Sequence, residues 1–127
     1  MIEITAHFPV FVADNLADLK AFYETHFGFR AAFFDGDFYL HLVHAKSGAQ
    51  LAFLAPEHAS QPEFLHAQAG REGMVISFEV ADARAALNVA EGAGLEIAMP
   101  YREEPWGQNH FMVRDPAGFV VDVVHQE

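Results

Sequence analysis

Cysteine is absent from the 127 residues, which excludes disulfides, thiolate metal sites, iron–sulfur clusters and cysteine nucleophiles together. The redox compartment stays open, because a chain without thiols is indifferent to it. No uninterrupted apolar stretch reaches the about 18 residues that a membrane-spanning helix needs. Basic residues are scarce: 7 Lys and Arg stand against 18 Asp and Glu, a formal charge of −11 with histidine neutral. Such a field repels nucleic acid and anionic lipid and attracts cations. The opening residues MIEITAHFPVFVADN lack a basic flank and an unbroken apolar core, so they do not read as a secretory signal. The expectation is a soluble cytoplasmic protein with neither a membrane nor a nucleic acid as partner. No phosphate loop of the form G-x-x-x-x-G-K and no Ser-His-Asp arrangement is visible.

What is present suffices for a core. Hydrophobic residues make up 52% and charged residues 20% of the chain, the balance of one ordinary folded domain spanning residues 1–127. Within it two segments echo each other. Phe8-Pro9-Val10-Phe11-Val12-Ala13-Asp14 precedes a helical pattern ending at Gly28, and Val75-Ile76-Ser77-Phe78-Glu79-Val80-Ala81-Asp82 precedes one ending near Gly92 or Gly94. Val-Ala-Asp recurs 68 residues apart, at 12–14 and 80–82. A repeat of half a domain implies two copies of one supersecondary unit.

Each copy reads as βαβββ, an α+β arrangement. In the first, over residues 1–55, the Phe- and Val-rich run 6–13 predicts a strand. Asp14 or Asn15 can cap a helix whose Leu16, Leu19, Phe22, Tyr23 and Phe27 share one face. Gly28 suits the left-handed residue that ends it. Strands follow at 30–35, 38–45 and 49–55, with Asp35-Gly36-Asp37 as a turn in which Gly supplies positive φ. Residues 56–72 form a connector with a short helix near 62–68. The second copy, 73–127, predicts a strand at 74–81, a helix at 83–92 capped by Asp82, and strands at 95–101, 108–114 and 119–125. Asp115-Pro116-Ala117-Gly118 reads as a tight turn with Gly relieving its last position.

PVFVADNLADLKAFYETHFGF (9–29) and PWGQNHFMVRDPAGFVVDVV (105–124) resemble the two signature stretches of the vicinal oxygen chelate superfamily, which holds glyoxalase I, extradiol dioxygenases and bleomycin-resistance proteins. The resemblance runs the length of the chain and is poorest across 56–72. It implies two βαβββ modules that form a U-shaped mixed sheet around a cleft. The nearest likeness is to the bleomycin-resistance type, carried by Pro9, by Pro105-Trp106-Gly107 and by Arg114-Asp115-Pro116-Ala117-Gly118. That type is a homodimer without catalysis, and the likeness implies that the strand at Pro9 crosses to the partner subunit. It also matches Phe38 and Trp106 to the two aromatic positions that sandwich a flat heteroaromatic ligand.

The enzymes of the superfamily hold a metal through side chains of the first and last strands of each module. The matching positions here are His7, Ala52, Val75 and Asp122. Two of these have no donor atom, so no metal or other cofactor is expected, with His7 and Asp122 as the only candidate ligands. Gln50 reads as needing a register shift to substitute for Ala52. His41 and His44, three apart in a strand, point to opposite faces, and His110 and His125 read as isolated.

These residues predict binding and sequestration of a planar, cationic small molecule. Phe38 and Trp106 both adjoin turns, where rings can stack a ligand, and Asp35, Asp37, Glu103 and Glu104 lie nearby to favour a cation. Glu103 and Glu104 also read as a solvated charge pair, and Trp106 equally as a dimer-interface anchor. The alternative is a metal-dependent lyase or dioxygenase of the glyoxalase kind, using His7, Asp122 and a third ligand.

Overall fold

A computed structural model describes all residues from Met1 to Glu127. The chain divides into two compact units, Met1–Gly70 and Arg71–Glu127. The first holds strand β1 (Val10–Val12), helix α1 (Leu16–Phe27), and strands β2 (Arg30–Asp35), β3 (Tyr39–Val43) and β4 (Gln50–Leu54). The second holds β5 (Ile76–Glu79), α2 (Ala83–Gly92), β6 (Ile97–Glu103), β7 (Gln108–Arg114) and β8 (Val120–Gln126). Both are βαβββ, as the repeat implies. Their sheets are ordered β1-β4-β3-β2 and β5-β8-β7-β6. In each, the first strand runs parallel to the last and the remaining pairs are antiparallel. The result is two four-stranded mixed sheets with one helix apiece. No helix is long and apolar enough to cross a membrane.

The apolar spacing of α1 puts its stripe against one face of the first sheet. Leu16, Leu19, Phe22 and Tyr23 are buried, and Tyr23 stacks on Phe53 of β4 with ring centroids 5.8 Å apart. Leu40, Leu42 and Leu51 complete this core. Gly28 ends the helix at φ 70°, its N–H bonded to the Tyr23 carbonyl, a left-handed cap that disfavours any side chain. In the second unit Asp82 caps α2 by accepting from the Ala85 N–H at 3.1 Å. Phe111, Val113, Phe119, Val121 and Val123 are buried there. The Arg84 guanidinium of α2 sits 4.0 Å from the Tyr101 ring centre.

Several expectations need correction. The first strand is only Val10–Val12, not 6–13. Apolar composition favours extended backbone, but a ladder needs partners, and Pro9 has no N–H to give one; its carbonyl still accepts from Ala52 N–H at 3.0 Å. The helix near 62–68 is a three-residue 3-10 turn, Glu63–Leu65. Asn15 caps α1 through its backbone carbonyl, which accepts from Leu19 N–H at 3.1 Å, and not through its side chain. Gly36 is not among the glycines at positive φ. The turn is fixed instead by Asp35, whose Oδ1 accepts from Asp37 N–H and whose carbonyl accepts from Phe38 N–H. The turn after β7 follows expectation: Asp115 Oδ1 accepts from the N–H groups of Ala117 and Phe119, both at 2.9 Å, and Gly118 has φ 85°.

Candidate ligand-binding face

Strand alternation decides which side chains α1 leaves free. Because Leu40, Leu42, Leu51 and Phe53 turn toward the helix, Tyr39, His41, Gln50 and Ala52 turn to the other face. The register pairs His41 with Ala52 and with Phe33, and Tyr39 with Asp35. This face carries a cluster of rings. Phe38 lies 5.9 Å from Tyr39 and 6.4 Å from Phe33, centre to centre. Tyr39 lies 6.2 Å from Phe33. Phe8 meets His41 edge-on at 4.5 Å. Phe33 is 49% exposed, so the cluster presents open aromatic surface.

A polar chain runs through these rings. The Tyr39 hydroxyl lies 3.0 Å from Nδ1 of His41, and His41 Nε2 lies 2.7 Å from Oε1 of Gln50. An amide oxygen only accepts, so His41 Nε2 carries the proton and its Nδ1 accepts from the tyrosine. Burial pushes the Tyr39 phenol up, which keeps the hydroxyl protonated for that bond. The chain settles Gln50 as well. It stands two residues from Ala52 and shares its face, so no register shift is involved, and its oxygen is engaged by His41.

The sequence-predicted residues fall as follows. Phe38 is half-buried behind the Asp35 turn, and His58 lies against its ring at 4.3 Å and 34°. Asp35 and Asp37 are exposed at the end of the same hairpin. In the second unit Trp106 sits in the turn between β6 and β7, closed by Gly107 N–H to Glu104 carbonyl at 3.1 Å. Its side chain is 66% exposed, and its indole N–H donates to Gln108 Oε1 at 3.0 Å. Glu103 is exposed. Glu104 is not a solvated partner to it: its carboxylate turns inward, with Oε2 2.8 Å from Nε2 of His110.

His110 is therefore not isolated. Its Nδ1 lies 2.9 Å from Oδ1 of Asp122, so the imidazole bridges two carboxylates. Burial pushes its pKa down, but the hydrogen bonds and charges of Glu104 and Asp122 outweigh this, and the net shift is upward. Glu104, His110 and Asp122 are six and twelve residues apart; the β6–β7 turn brings Glu104 to His110 and the β7–β8 register brings Asp122. Tyr39 and His41, by contrast, had a readable signal: two residues apart in a strand places them on one face.

The donor set does not fit a chelated metal. Ala52 is fully buried and, like Val75, has no donor atom. Asp122 is engaged by His110, and His7 is exposed in the segment before β1. No group of three or more His, Asp or Glu side chains could hold a metal ion.

Comparison with known proteins gives a consistent family. The family model described as Glyoxalase/Bleomycin resistance protein/Dioxygenase superfamily matches residues 5–123. No curated protein matches the chain. Among solved structures, a lactoylglutathione lyase from Agrobacterium tumefaciens is 21% identical, with a TM-score of 0.77 over 95% of this chain and 92% of its own. A superfamily member from Sphaerobacter thermophilus is 22% identical, with a TM-score of 0.77 over 99% and 100%. A bleomycin-binding protein from Streptomyces verticillus, solved with copper(II)-bleomycin, is 23% identical, with a TM-score of 0.67 over the whole of both chains.

Proposed function

The chain belongs to the Glyoxalase/Bleomycin resistance protein/Dioxygenase superfamily, and from that premise we propose that it binds and sequesters a planar, cationic small molecule without transforming it. The observation that carries this reading is the aromatic face of the first unit, where Phe8, Phe33, Phe38 and Tyr39 gather without a helix over them. Aromatic rings stack a flat ligand and attract its cationic portions. Asp35 and Asp37 at the hairpin, Glu103, and the net charge of −11 favour a cation over an anion. Trp106, largely exposed and oriented by Gln108, offers a stacking surface on the second unit. Glu104 contributes by orienting the turn that carries Trp106, through His110. The bleomycin-binding protein among the structural relatives adds support. The working unit is a homodimer, joined through the segment before Pro9.

A lyase or dioxygenase reading has the fold in its favour but lacks the donors at positions 52 and 75. The test is a titration with bleomycin and 9-aminoacridine, both cationic, and with anthracene-2-sulfonate as a flat anion, followed by ligand fluorescence or calorimetry. The cations bind and the anion does not. Equal binding of the anion, or conversion of a bound ligand, overturns the reading.

A further inference from the structure

The Tyr39–His41–Gln50 chain fixes which way the one hydroxyl of the aromatic face can bond. Gln50 Oε1 accepts from His41 Nε2, leaving Nδ1 as an acceptor, and the Tyr39 proton fills it. The hydroxyl hydrogen is then unavailable to a ligand, while the oxygen keeps lone pairs for one. Beside the ring that carries it stand the rings of Phe33 and Phe38, centred 6.2 and 5.9 Å away. A hydroxyl free to rotate would accept or donate with equal ease; this one is committed to accepting.

We propose that Tyr39 is a specificity-determining residue of this face, an acceptor for an N–H group on a planar aromatic ligand, with His41 and Gln50 as positioning residues that hold its proton away from the ligand. The inference rests on the planar-cation reading above and adds to it a requirement that neither ring stacking nor net charge imposes. A flat cation must present an N–H along its edge, and a carbonyl edge in the same place meets only lone pairs.

The test uses two cations of one ring system. Protonated 9-aminoacridine carries N–H donors, and 10-methylacridinium has the same rings and charge and none. The wild-type chain binds the first about tenfold more tightly than the second, the effect of one hydrogen bond in a partly buried site. Tyr39→Phe removes that preference by weakening 9-aminoacridine alone. Equal affinity of the two cations for the wild-type chain overturns the inference and leaves planar-cation binding standing. Failure of both to bind overturns planar-cation binding and the inference with it. A measurement without ligand checks the positioning residues. Nitrogen-15 spectra at about pH 8, where an ordinary histidine is neutral, show His41 protonated at Nε2, and Gln50→Leu mixes the two tautomers while Gln50→Glu retains the one. A His41 protonated at Nδ1 in the wild-type chain frees the Tyr39 hydrogen and overturns the assignment.

Discussion

His110 donates through Nδ1 to Asp122 Oδ1 at 2.9 Å, and the two side chains are only 7% and 12% exposed. Its Nε2 meets Glu104 at 2.8 Å. Carboxylates only accept, so both bonds are made together only when the ring holds both protons. Arg102, the register partner of His110 on β6, is exposed, and Glu79 faces β8 from β5. The local charge thus favours the imidazolium.

Stability should therefore depend on pH with a definite sign. The folded pKa of His110 is raised above the ordinary histidine value of about 6.5. Its contribution is complete below about 6.5, where an unfolded histidine is protonated too. It declines as pH rises through the raised folded value and levels off beyond it. Urea unfolding at a series of pH values should show this loss, and His110→Gln should flatten it. His110→Ala, which leaves two carboxylates without their cation, should cost roughly 3 kcal/mol. An unchanged pH profile in the glutamine variant would remove the assignment.

Much of this fold is legible because its boundaries are written in turn chemistry. Strands β2 and β7 occupy 30–35 and 108–114, as read, since Asp35-Gly36-Asp37 and Asp115-Pro116 stop them. The first strand was not legible, because a Phe-Val run says nothing of where its ladder partner ends. The ring cluster was half legible. Phe38 stands out beside its turn, whereas Phe8 and His58 reach the same face from segments whose course the sequence does not reveal. The His110 bridge was invisible for a related reason: it exists only once the β6–β7 turn and the β7–β8 register are formed.

The segment before β1 should mediate self-association. Met1, Ile2 and Ile4 are more than four-fifths exposed, an apolar arm of the sort that marks an interaction surface. Sedimentation should give a two-chain species at micromolar concentration. Removing residues 1–6, which spares Phe8 and Pro9, should shift it to the monomer. A folded monomer of the intact chain at that concentration defeats the claim.

Metal should not be part of the working protein. With no donor at Ala52 or Val75, His7→Ala should leave both folding and cation binding unchanged within about 0.5 kcal/mol, the range of a neutral surface substitution. Elemental analysis of the purified chain is the direct check. One tightly held Zn, Ni, Fe or Mn per chain would turn the reading toward the enzyme.

Trp106 offers the sharpest test of stacking. It is the only tryptophan in the chain, and with 66% of its surface exposed it contributes little to the core of its own unit. Trp106→Ala should thus change unfolding free energy by less than about 0.5 kcal/mol. It should cost roughly 2 kcal/mol or more in binding 9-aminoacridine, the threshold of a binding hot spot. Gln108→Ala, which frees the indole N–H from its 3.0 Å bond, should give a smaller loss by loosening the ring. The acidic field should act on encounter rather than on the bound state, so raising salt should slow association more than it speeds dissociation. Stopped-flow indole fluorescence reads both rates. If Trp106→Ala binds as tightly as the parent, Trp106 is no part of the ligand site, and its exposed ring is then accounted for by an interface between subunits, which Trp106→Ala should weaken in the sedimentation experiment.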